Sequence, residues 1–166
     1  MPIEIERKFL VLGDAWKDQS VSSERLKQGY VAGSEACSVR VRIRENGAQL
    51  GLKGAVGGAR RLEFEYAIPM REAEEIFAKL CVEGRVEKLR HRVPVGEHCW
   101  EVDEFLGNNA GLVVAEIELS DESEDFLRPD WIGAEVTEDI RYYNTTLATR
   151  PWPTWPEQRA LRGGNR

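Results

Sequence analysis

Over most of the first 120 residues, apolar and polar positions alternate with a period of two, the signature of β-strands whose two faces differ. In "IEIERKF", Ile3, Ile5 and Phe9 fall on one parity and Glu4, Glu6 and Lys8 on the other. The pattern predicts strands over 2–11, 23–32, 37–47, 48–56, 59–69, 85–95, 98–107 and 112–122. Asn46-Gly47 marks a tight hairpin, Gly57-Gly58 a further turn, and Pro69 closes the fifth strand. The period changes in "REAEEIFAKLCVEG", where Ala73, Ile76, Phe77, Leu80 and Cys81 recur at helical spacing. A helix is expected over 71–82, with Gly84 as its C-terminal cap. "GDAWKDQS" reads as a turn or short helix, "SEDFLRPDWIG" as a helical turn and loop, and "TEDIRYYNTTLATR" (137–150) as a final helix. Residues 1–150 form one domain in this reading, and 151–166 a Pro/Trp-rich tail.

What the polar faces carry decides the architecture. They repeat like charges at spacing two: Glu4/Glu6, Arg40/Arg42, Glu63/Glu65, Lys88/Arg90 and Glu116/Glu118. Same-face neighbours on a strand lie only about 7 Å apart, so each pair repels unless counter-charge lies between. Taken singly, each strand fits a sheet with one face in water. Taken together, the five pairs fit better as the inward lining of a closed eight-stranded antiparallel barrel, a mainly β fold with peripheral helices (α+β). The apolar faces then look outward, to be covered by the two helices or by a second subunit. Lys and Arg grip phosphate oxygens and clustered carboxylates hold hard cations, so the lining fits a metal-bound polyphosphate.

Composition narrows this further. With 166 residues, net charge −6 and pI near 5.1, the chain is unsuited to coating nucleic acid by bulk attraction. Cys37, Cys81 and Cys99 follow no metal-binding or disulfide spacing. No stretch has the apolar character of a signal peptide or membrane span, so a cytoplasmic protein without membrane partners is expected.

The ordered series "EIERK", "LKQGY", "VRVR", "LGLK", "RLEFE", "VEKLR", "WEVDEF", "AEIEL" and "WIGAEVTEDIRYYN" resembles the CYTH domains, also called triphosphate tunnel metalloenzymes, from residue 3 to about 148. The likeness is greatest to short bacterial members that hydrolyse inorganic tripolyphosphate to pyrophosphate and phosphate. It implies Mg²⁺ or Mn²⁺ as cofactor. Metal ligands would come from Glu4, Glu6, Glu63, Glu65, Asp103, Glu116 and Glu118. Lys8, Lys27, Arg40, Arg42, Lys53, Arg61, Lys88 and Arg90 would bind phosphate, and Lys8 with Tyr30 would form a catalytic dyad. Lys27 stands where relatives often carry Arg, and Gly51 replaces a larger residue in the L-x-L-K pattern. Arg44, Arg92 and Glu101 lie at strand ends and are expected at the rim or in solvent. Thiamine triphosphatase and adenylate cyclase share the fold, and a non-catalytic polyphosphate-binding barrel is the alternative from another class. The first two need an organic platform or a nucleoside pocket that the sequence does not display. The apolar outer faces are compatible with a homodimer.

Overall fold

A computed structural model describes residues 3–34, 36–82 and 84–163. Pro2 and residues 164–166, placed above in the opening strand and the tail, lie outside the described residues. All eight expected strands form: β1 (Ile3–Val11), β2 (Ser22–Gly33), β3 (Cys37–Arg44), β4 (Gly47–Gly57), β5 (Arg60–Ile68), β6 (Arg85–Val95), β7 (His98–Phe105) and β8 (Val113–Leu119). They pair antiparallel in the order β5-β4-β3-β2-β6-β7-β8-β1, and β1 returns to β5 to close the barrel.

The closing seam is short. β1 meets β5 only through Ile3, Glu4 and Ile5, and further along the same edge it pairs with a ninth strand outside the barrel, β9 (Ile132–Glu135). Alternation across the wall follows from the pleat. Lys8 on β1 stands opposite Glu116 on β8, and Lys53 on β4 opposite Glu63 on β5, all on the inner face. Ile5, Phe9, Val93, Trp100, Val102, Ala115, Ile117 and Trp131 form the largest apolar cluster on the outer face. The 3-10 turn at Ala15–Gln19 adds the buried Trp16 to it. Burying such large side chains stabilises by about 1.5–3 kcal/mol each.

Helix α1 (Met70–Lys79) covers the outer face of β3 and β4, packing around Val41, Ala48 and Ala73. It stops earlier than the apolar spacing predicts. Leu80 takes the last helical conformation, and Cys81 instead fits against Gly29 of β2, where a Cβ would lie 2.6 Å from Cys81 Sγ. Gly84 is no helix cap; its carbonyl accepts the Tyr30 amide N–H at 2.8 Å.

The expected helix over 137–150 is also corrected. After β9 the chain makes a turn at Thr137-Glu138, where the Asp139 amide donates to the Val136 carbonyl at 3.0 Å, then a 3-10 turn at Ile140–Tyr142 and only then a short α2 (Asn144–Thr149). Nor does α2 cover an outer face. Its Leu147 packs with Val86, Phe105 and Val114, which share strand parity with the inward Lys88, Asp103 and Glu116. One end of the barrel is thus filled by apolar side chains rather than left open. The tail continues as a 3-10 turn at Trp152–Thr154 and α3 (Pro156–Gly163), and Trp155 joins the same cluster. Asn109 fastens it, donating to the Leu147 carbonyl at 3.1 Å and accepting from the Trp152 amide at 2.9 Å. Among the described residues no helix is long and apolar enough to cross a membrane.

Candidate active site

Inside the barrel lies a cavity of about 320 Å³, and its lining comes from every one of the eight strands. β1 and β8 supply the acidic wall, with Glu4, Glu6, Glu116 and Glu118; β2 supplies Tyr30. β3 supplies Arg40, Arg42 and Arg44, β4 Lys53, and β5 Arg61, Glu63 and Glu65; β6 and β7 add Arg90, Arg92 and Glu101.

The basic wall is crowded with like charge. Arg42 is buried, and burial together with neighbouring Arg40, Arg90 and Arg44 pushes its guanidinium down to about 9. Its Nε donates to Gln28 Oε1 at 3.0 Å, a neutral partner that leaves the Arg42 charge without a carboxylate of its own. Arg40 reaches across β4 to place Nη2 3.3 Å from both Glu63 and Glu65. Gly51 makes room for that crossing: a Cβ there would touch the Arg40 guanidinium at 3.6 Å, and anything larger would occupy its path. Glycine in the L-x-L-K pattern thus leaves open the space next to the Arg40 guanidinium.

The acidic wall is equally compressed. Burial, then the charges of Glu116 and Glu4, pushes Glu6 well above the usual carboxylate range, and burial with Glu4 and Glu101 raises Glu118. Burial and hydrogen bonds with Glu4 and Glu65 push Glu63 up to about 8. Lys53 Nζ stands 2.8 Å from Glu4 Oε2. Burial opposes its charge, but Glu6, Glu4 and Glu63 outweigh it and raise the ammonium above the lysine range.

Carboxylates crowded enough that burial and neighbouring charge disfavour ionisation at Glu6 and Glu118 fit a hard divalent cation. Among the described residues no three such side chains converge into a ready-made cage. A cation held here would take one or two carboxylates and complete its shell with phosphate oxygens and water.

Three expected site residues lie elsewhere. Lys27 is on the outer face and exposed, because Tyr30 and Gln28 point inward and an odd offset on a strand reverses the side. Lys88 and Asp103 point inward but are sealed behind the lining, 0% and 1% exposed. Lys88 Nζ donates to Asp103 Oδ2 at 2.6 Å. Arg90 donates to the same carboxylate from Nε at 2.8 Å and Nη2 at 2.9 Å. Asp103 is thus occupied as an anchor for Arg90, whose Nη1 meets Glu101 at 2.6 Å, and offers no free oxygen to a metal. Arg44, Arg92 and Glu101 border the cavity, Arg44 paired with Glu24 at 3.0 Å where both are about a quarter exposed.

The cavity is also lined by residues outside the eight barrel strands, none of them among the expected site residues. Thr137 and Tyr143, from the segment between β9 and α2, and Asn144 and Thr145, from the start of α2, complete the lining. Thr137 Oγ1 accepts the Lys8 amide N–H at 3.0 Å, and Lys8 Nζ donates to the Tyr142 carbonyl at 3.1 Å. The Tyr143 ring lies 4.9 Å from Arg61 Cζ and 5.5 Å from Lys8 Nζ. No local periodicity marks these residues, whereas strand parity counted from Tyr30 would have selected Gln28 over Lys27.

A closed antiparallel barrel with opposed basic and acidic walls around one cavity defines a tunnel for a metal-bound polyanion. The family model for the CYTH domain matches residues 2–151, and the chain belongs to the CYTH domain family. The protein named inorganic triphosphatase in Acetivibrio thermocellus is 48% identical over 154 residues, covering 93% of this chain and 98% of that one. Its namesake in Nitrosomonas europaea is 38% identical over 152 residues, covering 87% and 96%. The crystal structure of the inorganic triphosphatase NE1496 superposes with a TM-score of 0.67 at 32% identity, covering 89% of this chain and 96% of that chain. The PH1012 protein from Pyrococcus horikoshii shares the fold at 22% identity, with a TM-score of 0.58.

Proposed function

We propose that this chain hydrolyses inorganic tripolyphosphate to pyrophosphate and phosphate, using Mg²⁺ or Mn²⁺. The observation that carries the reading is the cavity itself, where the buried Arg42 guanidinium hydrogen-bonds only the neutral Gln28 while Glu6 is crowded by the charges of Glu116 and Glu4. A triphosphate with a divalent cation relieves both walls at once. The two relatives named inorganic triphosphatase, matched over nearly their whole length, support the choice of substrate.

In this reading Arg40, Arg42, Lys53, Arg61 and Arg90 hold the phosphate chain, with Arg44 and Arg92 at the mouth. Glu4, Glu6, Glu116 and Glu118 hold the cation, which when bound would draw charge from the phosphate oxygens. Glu63 and Glu65 keep Arg40 stretched across the floor of β4. Lys8, anchored by Tyr142 and near Glu116, faces the reacting phosphoryl group, with Tyr30 on the same cavity. Phosphoryl transfer needs little more from a protein than such positioning and charge neutralisation.

Tripolyphosphate, thiamine triphosphate and ATP, each assayed for phosphate, pyrophosphate and cyclic AMP with Mg²⁺, Mn²⁺ or EDTA, test the proposal. Preferred, metal-dependent turnover of tripolyphosphate is expected. Tight binding without turnover would establish a binding barrel instead, and preferred release of cyclic AMP a cyclase.

A further inference from the structure

Asn144, the first residue of α2, has its two amide atoms in different settings. Its Oδ1 accepts from Lys88 Nζ at 3.1 Å. An ammonium only donates, so the atom facing Lys88 has to be the oxygen, which fixes the orientation of the carboxamide. Lys88 is itself fully buried and tied to Asp103 at 2.6 Å, so this anchor is rigid. The Nδ2 group, with two N–H donors, is turned away from Lys88 on a residue that lines the cavity. Tyr143 and Thr145 flank it on the same lining, beside Arg61 and Lys8.

From this we propose that Asn144 is a substrate-binding residue, its Nδ2 donating to a phosphate oxygen of the bound triphosphate. The inference rests on the triphosphatase reading. A neutral amide suits this place, because it adds donors without adding charge to a cavity where Arg40, Arg90 and Arg44 already crowd Arg42. Its precision comes from the anchor: Lys88 holds the oxygen, so little side-chain freedom remains to be lost when substrate binds. Buried Lys88, displaced from the lining, thereby acts on the substrate through Asn144 and, by way of Asp103, through Arg90.

Asn144→Asp separates this role from a structural one. The aspartate keeps an oxygen for Lys88 but turns an acceptor towards the substrate in place of the donors. We expect KM for tripolyphosphate to rise about tenfold or more, as for loss of a hydrogen bond to a charged group, with a melting temperature no lower than wild type. Asn144→Ala, which also strips Lys88 of its acceptor, should raise KM and lower the melting temperature. Calorimetric binding of tripolyphosphate in EDTA should weaken in parallel in both variants. Wild-type KM and binding in Asn144→Asp, with only the alanine variant less stable, would overturn the inference and leave Asn144 as a support for Lys88. A wild-type chain that binds tripolyphosphate without hydrolysing it would overturn the functional reading alone, because the binding comparison still reads Asn144. Failure of the wild type to bind at all would overturn both.

Discussion

Replacing Asp103 by Asn would separate the anchoring of the basic wall from metal binding. The carboxylate is 1% exposed and takes three hydrogen bonds, one from Lys88 at 2.6 Å and two from Arg90 at 2.8 and 2.9 Å. Removing one partner of a buried ion pair costs about 3–5 kcal/mol. Lys88 limits its own share of that loss. Burial, only partly offset by Asp103, pushes it down to about 8, so releasing its proton near neutrality costs far less than for an ordinary lysine. Arg90 cannot deprotonate, but it retains Glu101 at 2.6 Å and Glu116 at 3.6 Å. The expected loss therefore sits near the lower bound, about 3 kcal/mol, or roughly 6–12 °C in melting temperature for a chain of this size. Urea and thermal denaturation measure it, and a Mg²⁺ titration of turnover completes the test. Asp103→Asn should leave the half-saturating metal concentration within about twofold of wild type, while Glu6→Gln raises it, since only Glu6 lies on the cavity. Stability within ~1 kcal/mol of wild type, or a metal shift matching that of Glu6→Gln, would refute the reasoning.

Other parts of the barrel give independent tests. Lys27→Ala, on the exposed outer face, should keep KM for tripolyphosphate within about twofold, as expected of a residue that makes no substrate contact; a tenfold rise would put that side chain in the tunnel. For Glu63, burial and its hydrogen bonds raise the folded carboxyl to about 8, whereas an unfolded glutamate titrates near ~4.3. Between those values the folded chain retains a proton that the unfolded chain has released, so this group makes stability fall as pH rises through the window. Glu63→Gln should flatten the melting-temperature slope of the metal-free protein between about pH 5 and pH 8, and equal slopes would show that the proton is not held there. Gly29→Ala would set a Cβ 2.6 Å from Cys81 and should cost about 1–3 kcal/mol by urea denaturation; an unchanged midpoint would mean that the end of α1 yields freely.

The eight strands and the inward turn of their charges were legible because both depend on a local rule: side chains alternate, and like charges at spacing two need a common counter-charge. Glu4, Glu6, Arg40, Arg42, Glu116 and Glu118 obey that rule, and all six line the cavity. The same rule excludes Lys27 once Tyr30 is taken as inward. Depth along the barrel is another matter. Lys88 and Arg90 share a face and a charge, yet one is sealed beneath the lining and the other borders it, because apolar side chains from α2 and the tail fill the end nearer Lys88.

That filling is the decision left to tertiary structure. The sequence by itself determined the alternation, the hairpins, α1 and which face of each barrel strand is charged. It did not determine that residues 137–150 would abandon a single helix, because helical propensity over so short a segment is weak beside the burial of Leu147 and Trp155 in the barrel end. Nor did it bring Thr137, Tyr143 and Asn144 to Lys8, Arg61 and Lys88, contacts that span more than 50 residues and exist only once the barrel has closed.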